Sequence, residues 1–201
     1  MNVRRMLLKG GAGVGGALLL AGSMWLDSLV PQLRATELDP IRSEGKVGEE
    51  VRTRDFSVRV EKVEAARSFA PSLSLGDPPP IRTDGVYVIV RYRATSHREP
   101  LELATAEVET PGGYTFRHDP RAGPVSAGAQ PTLQPMIWSS AAVVFELPEK
   151  RLEGAHLVVG TGGLLPQLSA AADIDLGLTG KRADELLRAA PEGYKIKAGS
   201  P

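Results

Sequence analysis

The run Val86-Tyr87-Val88-Ile89-Val90-Arg91-Tyr92-Arg93-Ala94-Thr95 decides the fold class of this 201-residue chain. Side chains of an extended strand alternate between two faces, so Val86, Val88, Val90, Tyr92 and Ala94 share one face and Tyr87, Ile89, Arg91 and Arg93 the other. The first face is apolar throughout. The second is apolar where the strand starts and cationic where it ends. A strand that buries two faces at one end and one at the other belongs inside a sheet packed against a second layer.

The neighbouring sequence supports that placement. Upstream, Phe56, Val58 and Val60 alternate with Ser57, Arg59 and Glu61, the period-two pattern of a half-buried strand. Residues 67–85 hold Pro71, Pro78-Pro79-Pro80 and Asp84-Gly85 and read as the longest loop. Downstream, residues 101–109 and 114–116 flank Thr110-Pro111-Gly112-Gly113, a turn of hairpin length. A second proline-bearing loop covers 119–131. Apolar runs at 136–138, 141–147, 157–159 and 174–178 complete seven or eight short strands. Helical spacing occurs only at 181–190, through Ala183, Leu186, Leu187 and Ala190. The expected class is therefore all-β, an antiparallel β-sandwich over 49–179, with a small barrel also compatible with the spacing. Residues 34–48, charged and containing Pro40, read as a linker, and 180–201 as a short helix and polar tail.

Composition narrows the function classes. Lys and Arg total 24 and Asp and Glu total 24, so the basic excess that nucleic acid selects for is missing, and no nucleic-acid partner is expected. Glycine (22) and proline (16) suit short strands joined by many turns. The chain has no cysteine, which excludes disulfides, thiolate metal sites and cysteine nucleophiles.

The N-terminus reads as an address. Arg4, Arg5 and Lys9 precede an uncharged run from Gly10 to Leu26, closed by Asp27. Arg4-Arg5-Met6-Leu7-Leu8-Lys9 resembles the twin-arginine export signal, with Arg4, Arg5, Leu7, Leu8 and Lys9 at the matching positions and a glycine-rich segment following. An ordinary positive-inside flank is the other reading. As a helix the uncharged run spans about 25 Å, short of the roughly 30 Å hydrocarbon core, so a crossing needs the apolar residues that continue to Leu33. Ala21-Gly22-Ser23 is a mediocre cleavage site, and Trp25 suits an interfacial anchor. Residues 1–33 are thus expected to be a signal or signal-anchor helix that meets the cytoplasmic membrane through 6–33, with the later domain outside the cell; secretion after cleavage is the alternative. Gly11-Ala12-Gly13-Val14-Gly15-Gly16 satisfies a dinucleotide-binding pattern but lacks the preceding strand and βαβ unit that give it meaning.

Several landmarks resemble a known family. These are Gly85 before Val86-Tyr87-Val88-Ile89-Val90, then Gly112-Gly113-Tyr114, Leu133-Gln134-Pro135, and Val143-Val144-Phe145-Glu146-Leu147-Pro148. Over residues 45–179 the chain resembles bacterial telokin-like, immunoglobulin-like extracellular domains, grouped with the secreted immunoprotective antigen of mycobacteria. Met136 stands where that family usually has glycine, and the asparagine that the family usually has near the position of Thr95 is missing. The resemblance implies an immunoglobulin-like sandwich displayed outside the cell, behind an anchor or signal, and no shared catalytic residues.

Candidate site residues are few. His97, His118 and His156 sit on separate segments without the spacing of a helical zinc pair, and each reads as a surface histidine. Asp173 and Asp175, two apart on one strand, point the same way, as do Glu107 and Glu109; the solvent face of an edge strand explains both pairs. Ser139-Ser140 has no identifiable base, and no G-x-S-x-G elbow occurs. Arg59, Arg91 and Arg93 form a cationic stripe if their strands adjoin. No catalytic, cofactor or metal residues are assigned, and no cofactor is expected. The leading expectation is a non-enzymatic module that binds an envelope or surface protein through the loops 67–85 and 119–131. One alternative is an extracytoplasmic metal-dependent or carboxylate-based hydrolase using Asp173 and Asp175, with His118 as a further candidate; another is an accessory subunit of a membrane complex that needs residues 1–33.

Overall fold

Two stretches rich in β-branched and aromatic residues form the longest strands of the computed structural model, which describes residues 39–70, 79–119, 132–162 and 168–195. In chain order the strands are β1 (Ile41–Lys46), β2 (Val51–Arg52), β3 (Phe56–Ala70), β4 (Ile81–Ser96), β5 (Thr105–Thr110), β6 (Tyr114–Arg117), β7 (Ser139–Leu147), β8 (His156–Gly160) and β9 (Ala170–Asp175). Helix α1 (Gly180–Arg188) and β10 (Tyr194–Lys195) follow. The strands form two sheets, ordered β1-β9-β8-β5-β6 and β10-β3-β4-β7, with β2 paired to β3. The fold is a β-sandwich.

Strand β4 lies between β3 and β7 and pairs antiparallel with both. Its Val86, Val88, Val90, Tyr92 and Ala94 face the layer between the sheets, together with Phe56, Val58 and Val60 of β3 and Val108, Leu157, Val159 and Ile174 of the opposite sheet. Full burial of each such side chain contributes roughly 1.5–3 kcal/mol relative to exposure. On the far face of β4, Tyr87 and Ile89 join Ala66, Phe69 and Val144 in a second apolar cluster, where Phe69 and Tyr87 meet edge to face at 4.8 Å. Arg91 is half-buried and Arg93 exposed, so the second face does turn polar along its length.

One extra residue in β3 keeps the pattern consistent. Strict alternation from Val60 would turn Lys62 inward, but a register shift between Val60 and Lys62 pairs Lys62 with Arg91 and Val63 with Val90. The bulge therefore holds Lys62 outward and returns Val63 and Ala65 to the core.

Four expectations need correction. Residues 41–46, inside the segment read as linker, form β1, which pairs parallel with β9. Its apolar signal is weak because it is an edge strand, and Gly45 is required where it faces inward, since a Cβ there would lie 2.3 Å from Val51 Cγ2. Secondly, the loop read at 67–85 is largely strand, because β3 runs to Ala70 and β4 begins at Ile81. Asp84-Gly85 makes no turn: Gly85 sits in β4 where the Leu147 carbonyl oxygen is 2.2 Å from any Cβ, so glycine serves close backbone approach. Residues 71–78 and 120–131 lie outside the described residues. Thirdly, 136–138 is no strand; Met136 and Ile137 are 80% and 61% exposed in a turn closed by Ile137 N–H on the Gln134 carbonyl at 3.2 Å. Fourthly, the sandwich is not antiparallel throughout: β1 and β10 pair parallel at sheet edges. Both arrive from flanking segments rather than through hairpins, so no tight turn dictates their direction.

Residues 1–38, which carry the export motif at Arg4, Arg5, Leu7, Leu8 and Lys9 and the expected anchor, lie outside the described residues. Among the described residues no helix is long and apolar enough to cross a membrane.

The C-terminal segment closes the sandwich. Ala183, Leu186, Leu187 and Ala190 of and after α1 pack on the main core. The chain then returns along β3, where Arg67 N–H donates to the Pro191 carbonyl at 2.9 Å and Ser68 Oγ donates to the Glu192 carbonyl. Glu64 accepts from Lys62 Nζ (2.8 Å), Arg91 Nε (3.0 Å) and the Tyr194 hydroxyl (2.8 Å). Desolvation opposes ionisation of this carboxyl, yet the three hydrogen bonds together hold it below its ordinary 4.5.

Two predictions follow from these contacts. Tyr92 is buried in the main core with no hydrogen-bond partner for its hydroxyl among the described residues, and burial pushes the phenol up. Tyr92→Phe should raise stability by about 1 kcal/mol in urea unfolding, because it removes an unsatisfied polar atom while keeping the ring. A loss of similar size would show that the hydroxyl has a partner. Because the Glu64 carboxyl is lowered in the folded state, its contribution is complete above its unfolded value and lost as pH falls through the folded one. Amide exchange at 192–195 should accelerate below about pH 4.5, and Glu64→Gln should remove that pH dependence.

Candidate functional site

Alternation along the first sheet puts its charged residues on one outward face. Arg42, Glu44 and Lys46 of β1 lie beside Asp173 and Asp175 of β9, followed by His156 of β8 and Glu107 and Glu109 of β5. Strand β9 is the second strand of this sheet, so Asp173 and Asp175 do not line an edge as expected; β1 covers that edge.

Arg42 organises the face. Its guanidinium donates to both carboxylate oxygens of Glu109, at 2.8 and 2.9 Å, and to Asp173 Oδ2 at 3.2 Å. The Glu109 hydrogen bonds, and then Asp173, hold it more firmly protonated than usual against the opposing effect of burial. A planar fork on a carboxylate is the geometry that arginine supplies and lysine does not. Asp173 Oδ1 meets His156 Nδ1 at 2.8 Å. A carboxylate only accepts, so Nδ1 carries the hydrogen, and Nε2 is the basic nitrogen of neutral His156.

Beside this network opens a pocket of about 380 Å³ lined by Glu44, Gly45, Lys46, Glu49, His156, Asp173 and Asp175. Two of its carboxylates also make local bonds: Asp175 Oδ1 accepts Gly177 N–H at 2.7 Å, and Glu49 Oε2 accepts Lys46 N–H at 3.1 Å. Four acidic side chains against one lysine leave the pocket acidic, and His156 lines it as well. A cationic or hydrogen-donating group is the chemical class it suits. Among the described residues no group of three or more His, Asp and Glu is arranged to hold a metal ion.

The remaining candidates are dispersed. His118 bridges Phe145 of β7 on the other sheet, while the hydrogen bonds of Asp173 and Asp175 run to Arg42, His156 and Gly177; it is His156, not His118, that the fold brings to Asp173. Glu107 binds Arg117 at 3.2 Å. Ser139 and Ser140 open β7 opposite Ala94 and Arg93. Arg59 and Arg93 are register partners, but Glu61 lies 3.9 Å from Arg93 and Glu64 binds Arg91, so carboxylates interrupt the cationic stripe.

His97 is held in a serine–histidine arrangement. His97 Nδ1 faces the Arg54 carbonyl at 3.3 Å and therefore donates, leaving Nε2 to accept from Ser57 Oγ at 3.0 Å. Ser57 is 2% exposed, so this pair fastens the start of β3 to the end of β4 rather than presenting a nucleophile.

Sequence reasoning missed Arg42, Glu44 and Lys46 because they fell in the segment read as linker, and Glu49 because it carries no signal of its own at the start of the segment read as sandwich. The period-two charge alternation of Arg42, Glu44 and Lys46 was the available signal. The Asp173–His156 pair depends on the β8–β9 register, which no local pattern encodes.

No protein-family model and no curated protein matches the chain. Three solved structures are similar. An uncharacterized β-sandwich protein from Clostridium difficile 630 shares 12% identity, covering 71% of this chain and 98% of that one, with a TM-score of 0.39. The yjhA protein from Bacillus subtilis shares 13%, covering 65% and 99%, at 0.47. The secreted protein MPT63 from Mycobacterium tuberculosis shares 16%, covering 67% and 97%, at 0.44. Such identities and scores transfer no residue role to this chain.

Arg42 bridges two carboxylates that would otherwise repel, in a partly solvated setting. Arg42→Met should lower stability by about 1 kcal/mol, with the deficit shrinking at high ionic strength. Urea unfolding at two salt concentrations measures both.

Proposed function

We propose that this chain is an exported, non-catalytic β-sandwich module that holds a cationic group of a protein or envelope partner in the acidic pocket between β1, β9 and β8. The carrying observation is the pocket of about 380 Å³ lined by Glu44, Glu49, Asp173 and Asp175, on a face pre-ordered by Arg42. Preorganised side chains lose little freedom on binding, which favours recognition over induced closure. Export follows from Arg4, Arg5, Leu7, Leu8 and Lys9 and the uncharged run after them, with residues 6–33 as a membrane anchor or a cleaved signal. Membership of the telokin-like, immunoglobulin-like extracellular family is the finer part of this reading and rests on the landmarks around Gly85, Pro135 and Pro148.

One observation favours a second reading. The Asp173–His156 pair orients a histidine beside the pocket, as a general base for hydrolysis would be oriented. The two readings separate experimentally. Binding of an oligolysine peptide by the full chain should weaken about tenfold in the Glu44→Gln/Glu49→Gln variant, which leaves the Arg42 network intact. Unchanged affinity sinks the pocket as a binding site. Turnover of ester or amide substrates that disappears in His156→Gln would establish hydrolysis instead.

A further inference from the structure

Five large hydrophobic side chains are strongly exposed among the described residues, and four of them, Ile41, Met136, Ile137 and Leu168, belong to one end of the sandwich. Backbone contacts link them into a continuous rim. Ile41 N–H donates to the Ser169 carbonyl at 3.0 Å, next to Leu168, whose own carbonyl accepts from Arg54 Nη2 at 3.0 Å. His97 N–H donates to the Asp55 carbonyl at 3.0 Å, and Met136 N–H to the Ser96 carbonyl at 3.1 Å. The rim thus runs from the start of β1, past the start of β9 and the β2–β3 turn, to the turn before β7. The fifth, Tyr114, pairs with Thr110 at the other end and is covered on one face by Arg151 at 3.7 Å.

Met136 is held there against its backbone preference. It is the third residue of a turn that begins Gln134-Pro135, with φ of 64°, a position that ordinarily selects glycine. It is the one non-glycine residue with positive φ among the described residues, and its side chain is 80% exposed. A side chain kept at a strained position without packing in its own fold is a reason to look for an external contact.

The occupant is indicated by what precedes this end. The described chain enters the rim at Asp39–Ile41, and the uncharged run Gly10–Leu26 lies only residues 27–40 upstream. Fourteen residues reach at most about 50 Å even fully extended, which keeps this end of the sandwich close to whatever the uncharged run contacts. Polar groups on the rim, Arg54, Asp55, Arg98, Glu99 and Asp39, carry both signs, so apolar insertion rather than net charge would drive contact. Singly exposed aliphatic and thioether side chains on loop tips, within mixed charge, match a bilayer's headgroup–acyl boundary, where apolar groups insert about 5–10 Å.

We propose that the Ile41–Met136–Ile137–Leu168 end of the sandwich docks on the lipid surface of the membrane that residues 6–33 address. It relies on that address only for the tether. The chain lacks cysteine, so single-cysteine variants accept one label each. The full chain carrying an environment-sensitive fluorophore at Met136→Cys, Leu168→Cys, Glu153→Cys or Ala17→Cys is mixed with vesicles of phosphatidylethanolamine and phosphatidylglycerol, with and without a nitroxide lipid. The expected result is a blue shift and loss of emission at 136 and 168, with no change at 153 near the opposite end. Quenching at 17 alone overturns docking while leaving the anchor standing. Quenching at neither 17 nor the rim overturns docking and anchor together. A blue shift at 136 and 168 without nitroxide quenching also overturns it, and points to a protein surface or a second copy.

Discussion

The double pairing of β4 is the constraint on which the rest of the structure depends. With β3 on one side and β7 on the other, its backbone is paired on both sides over residues 87–94, so both of its faces are free to be apolar where other elements cover them. The inner face supplies the sandwich core. The outer face, at Tyr87 and Ile89, creates a second demand for cover, met in part by Ile81 and Tyr194 packing on that cluster. The C-terminal segment is thereby tied to the fold, through β10 beside β3 and through the hydrogen bonds that Glu64, Arg91 and Tyr194 share. The bulge in β3 is a consequence of the same arrangement, since a β3 that alternated strictly would carry Lys62 into the core opposite β4.

What the sequence disclosed divides along the distance over which each feature is encoded. The period-two run at 86–94, the alternation at 56–61 and the Pro-Gly-Gly turn after Thr110 are local, and they are enough to specify two packed sheets. Edge strands are another matter. Ile41-Arg42-Ser43-Glu44-Gly45-Lys46 buries little, so hydrophobic periodicity has almost nothing to report, and a glycine and three charges resemble a linker. Asp84-Gly85 shows the opposite error, in which a residue pair that ordinarily marks a turn serves close approach of two backbones. The helical spacing at Ala183, Leu186 and Leu187 and the helix at Gly180–Arg188 agree because both depend on residues within three turns.

The candidate site was legible only as scattered parts. Asp173, Asp175 and Glu109 could be placed on outward faces from alternation alone. Their partners could not, because Arg42 reaches Glu109 across 67 positions of sequence and Asp173 across 131. Once the parallel β1–β9 pairing is known, the chemistry follows from elementary terms. One guanidinium satisfies two carboxylates, one of these orients His156, and the carboxylates of Glu44 and Glu49 line the pocket without a comparable guanidinium. The two serine–histidine and aspartate–histidine arrangements then separate by exposure: Ser57 is sealed in the sheet, whereas His156 lines open space.

The short β1 strand also relates the two surfaces to which a role is assigned. It starts at Ile41 on the apolar rim and ends at Lys46 on the acidic pocket, about 17 Å further along at 3.3 Å per residue. A sandwich resting on its Ile41 end would therefore hold Glu44, Glu49 and Asp175 on the side away from the bilayer, clear of headgroups that would otherwise compete for them. The strained turn at Met136 has a place in the same geometry, since it projects from the second sheet at the rim and adds a further point of support beyond the first-sheet positions Ile41 and Leu168. Placement of an apolar end and an acidic pocket at the two ends of β1 makes the two contacts compatible: occupying one leaves the other exposed.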